Sequence, residues 1–164
     1  MVSWGKSTSK RTQLMRGGFG VEFDASSDRD VGVLVYKKPI ISIVDDDESA
    51  RESLVDLVKS MGFTAESFSR AEDYLNSNLV HDTSCLIADV QMPGITGLEL
   101  HNRLVESGNA IPTILITAFP TARDCTTALQ SGVNFYLVKP FNDDDLLACI
   151  RSALELQDKY GGKS

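Results

Sequence analysis

The amino-acid sequence predicts an α/β protein with a doubly wound, five-stranded parallel sheet and five helices. Short apolar runs alternate with segments whose apolar residues recur at helical spacing. The apolar runs are nearly continuous, which is typical of parallel strands that helices cover on both faces. Because crossovers between parallel strands are right-handed, we expect the carboxyl ends of all five strands at one edge of the sheet.

The strands are predicted where β-branched and other apolar residues cluster and where each run stops at a polar or turn-forming residue. The second of these runs is the weakest. The predicted strands cover residues 40–44, 64–68, 85–88, 113–116 and 135–138.

Four helix starts are predicted from capping residues, because Ser, Thr and Asn side chains accept hydrogen bonds from the free N–H groups of a first turn. The fourth helix is predicted over 122–130 and ends before Gly132. The last helix is expected to bury Leu147, Ile150 and Leu154. The predicted capping residues are Ser49 with Glu52, Ser69 with Glu72, Thr96 with Glu99, and Asn142.

Charge and composition divide the chain near residue 38. The 164 residues include 23 acidic and 16 basic side chains and carry a formal net charge of −7. Residues 1–38 are basic and rich in Ser and Gly, whereas the remainder is strongly acidic. We therefore expect a disordered N-terminal extension over 1–38, a globular domain over 39–157 and a C-terminal tail over 158–164. An apolar run over 31–36 is the one stretch of the extension that is compatible with an edge strand.

Composition also excludes several classes of protein. No apolar run reaches the ~18 residues that a membrane-spanning helix requires. The net acidity argues against direct nucleic-acid binding. Three scattered cysteines argue against a disulfide framework or a zinc site, and they favour a reducing, cytoplasmic location.

Polar residues with complementary chemistry follow four of the five predicted strands. Carboxylates that are held together repel one another unless a cation lies between them, and Mg²⁺ prefers oxygen ligands. A lysine and a threonine at the same edge equip it to receive a phosphoryl group. Asp47 is interpreted separately, as a turn former or helix cap. The residues that converge are Asp45, Asp46, Asp89, Thr117 and Lys139.

Four motifs in this order resemble the receiver domain of bacterial two-component response regulators, in particular its FixJ-like branch. The resemblance covers residues 39–157. It implies a flavodoxin-like sheet with strand order 2-1-3-4-5. The motifs are IVDDDE at 43–48, LIADVQMPG at 86–94, ITA at 116–118 and VKPF at 138–141.

The resemblance implies a role for each residue of the phosphorylation site. Asp89 would be the phosphoacceptor that attacks the phosphohistidine of a histidine kinase. Asp45 and Asp46 would hold Mg²⁺ together with Asp89 and the main-chain carbonyl of Gln91. Lys139 would pair with the acyl phosphate, and the bond between Lys139 and Pro140 is typically cis in this family.

The resemblance also implies a conformational switch. Thr117 would move toward the phosphoryl group, and Tyr136 matches the aromatic position that turns inward when it does. Gln91 and Phe119 flank the path of the attacking water and bear on the lifetime of the phosphorylated state. We expect the bulky Phe119 to slow autodephosphorylation.

Two alternatives remain open at this point. A haloacid-dehalogenase-type phosphohydrolase also uses a Mg²⁺-bound Asp with a Thr and a Lys on a doubly wound sheet. Its nucleophile ends the first strand in a DxDx[TV] pattern, whereas Asp45 is followed by Ser49 at the fifth position. The other alternative is a receiver-like interaction module that takes no phosphate, and the joint presence of all the site residues argues against it.

The resemblance implies partners rather than a small substrate. A sensor histidine kinase or a phosphotransfer protein would be the donor, and a downstream effector protein would be the target. Receivers of this kind also form homodimers through helix four, strand five and helix five. The protein is thus expected to be a signalling phosphoacceptor and not an enzyme. Because few residues follow the last predicted helix, we expect a stand-alone receiver without an output domain.

Overall fold

The structure is a computed structural model that describes residues 20–23 and 34–161. Short connections join the elements, and a 3₁₀ helix at Asn78–His81 and a π-helical turn at Gln157–Gly161 complete them. In chain order the strands and helices are β1 (Gly20–Phe23), β2 (Leu34–Lys37), β3 (Ile40–Val44), α1 (Glu48–Ser60), β4 (Thr64–Phe68), α2 (Ala71–Leu75), β5 (Cys85–Asp89), α3 (Gly97–Glu106), β6 (Thr113–Thr117), α4 (Ala122–Gln130), β7 (Phe135–Val138) and α5 (Asp143–Leu156).

Five parallel strands form the central sheet in the spatial order β4-β3-β5-β6-β7. This is the predicted 2-1-3-4-5 order of a doubly wound sheet, which is therefore confirmed. The chain moves from β3 outward to β4 and then returns to the other side of β3 to form β5. The direction of winding changes between β3 and β5, and ligands of open α/β sheets bind beside the carboxyl ends of strands at such a point.

The core has one layer on each face of the sheet. On one face, side chains such as Leu86 and Leu115 pack with Leu100 of α3 and with Tyr74 of α2. On the other face, apolar strand residues pack with α1 and α5. The three inner strands β3, β5 and β6 are almost wholly buried, as expected for nearly continuous apolar runs that helices cover on both faces. The edge strand β4 is less apolar and has exposed polar residues.

The face of α5 that enters the core differs from the prediction by one residue. Leu146 is fully buried, whereas Leu147 is only partly buried. Ile150 and Leu154 are buried as predicted, and Ala153 joins them. Two adjacent leucines make the helical phase ambiguous, and the i, i+4, i+8 row that starts at Leu146 is the one that packs against the sheet.

Two of the four predicted capping residues are confirmed. The Thr96 side chain accepts from the N–H of Glu99, and the Asn142 side chain accepts from that of Asp145. The Ser49 prediction was wrong, because Asp47 caps α1 two residues earlier, through a 3.2 Å bond from the Ala50 N–H. The Ser69 prediction was wrong too, since α2 starts after Arg70 without a side-chain cap.

Two short strands lie within the N-terminal extension. β1 and β2 pair in antiparallel register, with Val21 opposite Tyr36. Their alternating β-formers favour such a pair, and it forms a separate two-stranded sheet instead of adding an edge to the central one. The structure does not describe residues 1–19 and 24–33 of the extension or residues 162–164 of the tail. Within the described part, no helix has the length and apolar character needed to cross a membrane.

Candidate functional site at the carboxyl edge of the sheet

Three carboxylates meet where β3 and β5 end. Oxygen atoms of Asp45, Asp46 and Asp89 all lie within 4.8 Å of one another. Asp45 is only 2% exposed, Asp46 is exposed, and Asp89 is half-buried as the last residue of β5. Sheet topology explains the meeting, because β3 and β5 are hydrogen-bonded neighbours in parallel register. A set of three carboxylates offers only oxygen ligands and an excess of negative charge, which fits a hard divalent cation such as Mg²⁺.

Three hydrogen bonds and one ion pair fix the position of Asp45. Its N–H donates to the Phe68 carbonyl at 3.1 Å, and its Oδ1 accepts from the Asp47 N–H at 3.0 Å. Its Oδ2 lies 3.7 Å from Nζ of Lys139. Its main-chain carbonyl accepts a 2.8 Å hydrogen bond from Nη1 of Arg51. A buried carboxylate needs such partners, because each unpaired charge would cost several kcal/mol on burial.

The local backbone orients the Asp89 carboxylate. Its Oδ1 accepts a 3.0 Å hydrogen bond from the Gln91 N–H, which orients the carboxylate at the strand end. Burial raises the pKa of Asp89, and the Asp45 carboxylate raises it further, while the Gln91 N–H and the Lys139 ammonium act in the opposite direction. A divalent cation at the three carboxylates would therefore favour the ionised, nucleophilic form of Asp89.

Thr117 and Lys139 are joined through the backbone. The Lys139 N–H donates to the Thr117 carbonyl at 2.8 Å, which continues the pairing of β6 with β7 one residue past the end of β7. The Thr117 hydroxyl accepts a 3.1 Å hydrogen bond from the Phe119 N–H, and Thr117 is 1% exposed. The Lys139–Pro140 peptide bond is cis. Lys139 reaches the acidic cluster directly, whereas the Thr117 hydroxyl is engaged by its own loop.

Tyr136 lies on β7 beside a cavity of about 430 Å³. Its hydroxyl oxygen is buried and has no hydrogen-bond partner among the described residues. Burial raises the pKa of Tyr136, and the Asp124 carboxylate on α4 adds to this. By contrast, Phe119 is 70% exposed. The residues that line the cavity with Tyr136 are Val90, Gln91, Met92, Pro93, Thr96, Leu98, Leu115, Asp124 and Ala128.

Two residues near the site were missed in the sequence analysis. Arg51 contacts the Asp45 carbonyl from the first turn of α1. In the sequence this arginine, six residues after Asp45, is only one of several charges on the helix. Gly97 begins α3 directly against the strand end, where a Cβ atom would collide with the Asp89 carbonyl oxygen. A glycine that starts a helix just after a predicted site is a signal that could have indicated this close approach.

Comparison with known proteins places this site in a family. Residues 41–151 match the family model of the response regulator receiver domain. The response regulator protein TmoT of Ectopseudomonas mendocina is 38% identical over 120 residues, which are 73% of this chain and 54% of that protein. The transcriptional regulatory protein FixJ of Azorhizobium caulinodans is 33% identical over 121 residues, 74% of this chain and 57% of that protein. The chain spans about half the length of the curated relatives it matches.

Solved structures support the same family. The response regulator StyR superimposes with a TM-score of 0.67 at 36% identity, over 75% of this chain and 62% of that one. The crystal structure of FixJ-N gives a TM-score of 0.66 at 30% identity, over 73% of this chain and 95% of that one. The chain belongs to the response regulator receiver family, a class of signalling domains of two-component systems. The resemblance to the FixJ-like branch is thereby confirmed, and the phosphohydrolase alternative is not supported.

Proposed function

We propose that this protein is a phosphoacceptor that takes a phosphoryl group onto Asp89. The observation that carries the proposal is the convergence of Asp89 with Asp45 and Asp46, within 4.8 Å, at an edge that Lys139 also reaches. The site thus combines a carboxylate nucleophile, two further carboxylates that can hold a cation, and an ammonium group. These are the components that phosphoryl transfer to an aspartate requires.

Mg²⁺ is the cofactor that suits the site. Asp45, Asp46, Asp89 and the main-chain carbonyl of Gln91 would hold it. When bound, the ion supplies positive charge that offsets the charge of the transferring phosphoryl oxygens. The rest of the chemistry belongs to the chain's own residues.

Phosphoryl transfer then proceeds by displacement at phosphorus. An oxygen of the Asp89 carboxylate forms the new P–O bond while the P–N bond to the donor histidine breaks, and the imidazole leaves with that electron pair. The Gln91 N–H, 3.0 Å from Oδ1, holds the other carboxylate oxygen in place. The Lys139 ammonium, now 3.7 Å from Asp45, is close enough to turn toward the new phosphoryl oxygens.

The added charge changes which packing of the neighbouring loops is favoured. Phosphorylation brings roughly −1.5 to −2 charges to the edge. The Thr117 hydroxyl can donate to a phosphoryl oxygen once its loop exchanges the contact with the Phe119 N–H. The cavity beside Tyr136 gives that ring room to repack, and α4, β7 and α5 present the altered surface. Phe119 and Gln91 are proposed to limit access of water to the acyl phosphate.

The partners follow from this chemistry. The donor is a sensor histidine kinase or a phosphotransfer protein, and the recipient of the signal is a downstream effector protein or a second copy of the chain bound through α4, β7 and α5. We place the protein in the cytoplasm, where such donors present their phosphohistidine. No direct contact with nucleic acid or membrane is proposed for this domain.

Incubation with acetyl phosphate and Mg²⁺, followed by intact-mass measurement, tests the function. One phosphoryl group on the wild type, and none on Asp89→Asn or on wild type with EDTA, is the expected result. If the folded wild-type protein takes up no phosphoryl group, the alternative of a receiver-like interaction module without phosphorylation replaces the proposal.

A further inference from the structure

We propose that Arg51 is a positioning residue for the acidic site, which fixes the turn over 45–47 and thereby sets the affinity for the divalent cation. This inference rests on the proposed function, since it concerns the cation that the same carboxylates would hold. It adds a residue that lies outside the four motifs and has no side-chain contact with the phosphoacceptor.

One residue binds the turn at two points. Nη1 of Arg51 donates to the Asp45 carbonyl at 2.8 Å, and the Arg51 N–H donates to the Asp47 carbonyl, also at 2.8 Å. The Asp45 carbonyl belongs to the peptide unit that joins Asp45 to Asp46. A strong, charge-assisted bond to that oxygen fixes the orientation of the whole peptide plane.

The orientation of the Asp46 carboxylate depends on this peptide plane more than that of the Asp45 carboxylate does. Asp45 has its own anchors, from the Phe68 carbonyl, the Asp47 N–H and Lys139. Asp46 is exposed, and no hydrogen bond to its side chain is found within the described part of the chain. The direction in which its carboxylate points is therefore set by the backbone of the turn, and that backbone is what Arg51 holds.

The charge of Arg51 and its hydrogen bond act on the cation in opposite directions. The Arg51 guanidinium, bonded to the Asp45 carbonyl, adds positive charge at the turn that carries two of the carboxylates. That charge repels a divalent cation, so removal of the charge alone would tighten binding. Loss of the bond to the Asp45 carbonyl frees the peptide before Asp46 and weakens binding, because groups that orient metal ligands contribute about 10- to 100-fold to metal affinity. The sign of the change in affinity distinguishes the two roles.

The test is a calorimetric titration of Mg²⁺ into the full chain and three variants without phosphodonor. Arg51→Met removes the bond and the charge, and we expect its Kd to rise by about tenfold. Arg51→Lys keeps the charge but replaces the planar fork with a point donor of different reach, and we expect a rise of about threefold. Arg151→Met removes an exposed arginine on α5 and is the charge-matched control, with an unchanged Kd.

The outcomes separate this inference from the proposed function. If Arg51→Met binds Mg²⁺ as tightly as wild type or more tightly, Arg51 acts only as a charge and the inference is overturned. If Arg51→Met does not fold, Arg51→Lys decides, since weaker binding supports positioning and unchanged binding contradicts it. Wild-type protein that binds no Mg²⁺ would overturn the cation site itself, and the inference with it.

Discussion

The ammonium of Lys139, just after β7, lies 3.7 Å from Oδ2 of Asp45, just after β3. Two strands, β5 and β6, stand between β3 and β7 in the sheet. The ion pair thus crosses the sheet edge over the ends of the strands that carry Asp89 and Thr117. This contact joins the carboxylate cluster at the end of β3 to the end of β7, the strand that pairs with β6 and Thr117.

Replacement of this lysine tests its role in transfer. Lys139→Met removes the ammonium that favours the charged form of Asp89. Under the proposed function it also removes the group that would meet the phosphoryl oxygens. We expect the rate of phosphorylation by acetyl phosphate to fall by about a hundredfold, in line with the loss of one electrostatic donor. Lys59→Met, at the exposed last turn of α1, is the control and should react at the wild-type rate. Equal rates for Lys139→Met and the control would remove Lys139 from the mechanism.

The three carboxylates should destabilise the fold when no cation is present. The pKa of Asp89 is raised in the folded state, so the folded protein binds its proton more tightly than the unfolded chain does. This contribution to stability is present at low pH and is lost as the pH rises through the folded-state pKa. Asp89→Asn is therefore expected to raise Tm by a few degrees at pH 7 in EDTA, as measured by thermal unfolding.

With saturating Mg²⁺, wild type should have a higher Tm than Asp89→Asn, because wild type gains a ligand that the variant binds less well. Asp56→Asn, an exposed change of equal charge on α1, should leave Tm nearly unchanged in EDTA. A variant Asp89→Asn that is less stable than wild type in EDTA would contradict the account.

We expect His101 to make the stability of the domain dependent on pH. Its side chain is 4% exposed, with Nε2 3.1 Å from the Ser131 carbonyl and Nδ1 3.1 Å from the Thr113 hydroxyl oxygen. Burial lowers the pKa of His101, while the Ser131 carbonyl opposes this. The unfolded chain therefore binds the proton more tightly, so this contribution to the free energy of unfolding is present above pH 6.5 and is lost as the pH falls below it.

The slope of this loss cannot exceed about 1.4 kcal/mol per pH unit for one proton. Urea denaturation between pH 5 and 7.5, values within the range where His titrates, should show a smaller slope for His101→Gln. His81, the other of the two histidines, is exposed, and His81→Gln should keep the wild-type slope. If the two variants show the same slope, His101 is not the group responsible.

Two tyrosines offer a matched test of hydroxyl burial. The Tyr136 hydroxyl is buried without a partner in the described structure, whereas that of Tyr74 donates to the Thr83 hydroxyl oxygen at 2.9 Å. Tyr136→Phe removes an unsatisfied polar group, and we expect the free energy of unfolding to stay equal or to rise by about 1 kcal/mol. Tyr74→Phe leaves Thr83 with one bond fewer and should lose about 1 kcal/mol. Denaturant titration measures the free energy of unfolding of both variants. If Tyr136→Phe loses more of it than Tyr74→Phe does, the Tyr136 hydroxyl has a partner in solution.

The sequence was informative wherever chemistry and hydrophobic pattern coincided. Asp45, Asp89, Thr117 and Lys139 each end an apolar run, so parallel topology alone brings them to one edge. The role of Arg51 could not be predicted, because it depends on a side chain that turns back from α1 to a carbonyl six residues earlier. Likewise, the choice of Leu146 over Leu147 depends on how α5 rolls on the sheet, which a pair of adjacent leucines does not specify.

Helix starts show the same limit. Ser69 and Glu72 have the sequence pattern of a capping box, yet α2 begins at Ala71 and its N-cap Arg70 makes no side-chain cap. Glu72 instead approaches Arg70, with Oε1 3.5 Å from Nε, and its Oε2 packs beside Gly94. The pattern of a capping box at Ser69 and Glu72 therefore did not specify where α2 begins.

The central claim is that Asp89 receives the phosphoryl group, and locating the modified residue tests it most directly. Wild-type protein is treated with acetyl phosphate and Mg²⁺, then with borohydride, which reduces an aspartyl phosphate to homoserine. Trypsin separates the peptide over 71–103, which contains Asp89, from that over 38–51, which contains Asp45 and Asp46. The account predicts homoserine at position 89 alone. Homoserine at 45 or 46, or at none of the three positions, would contradict it.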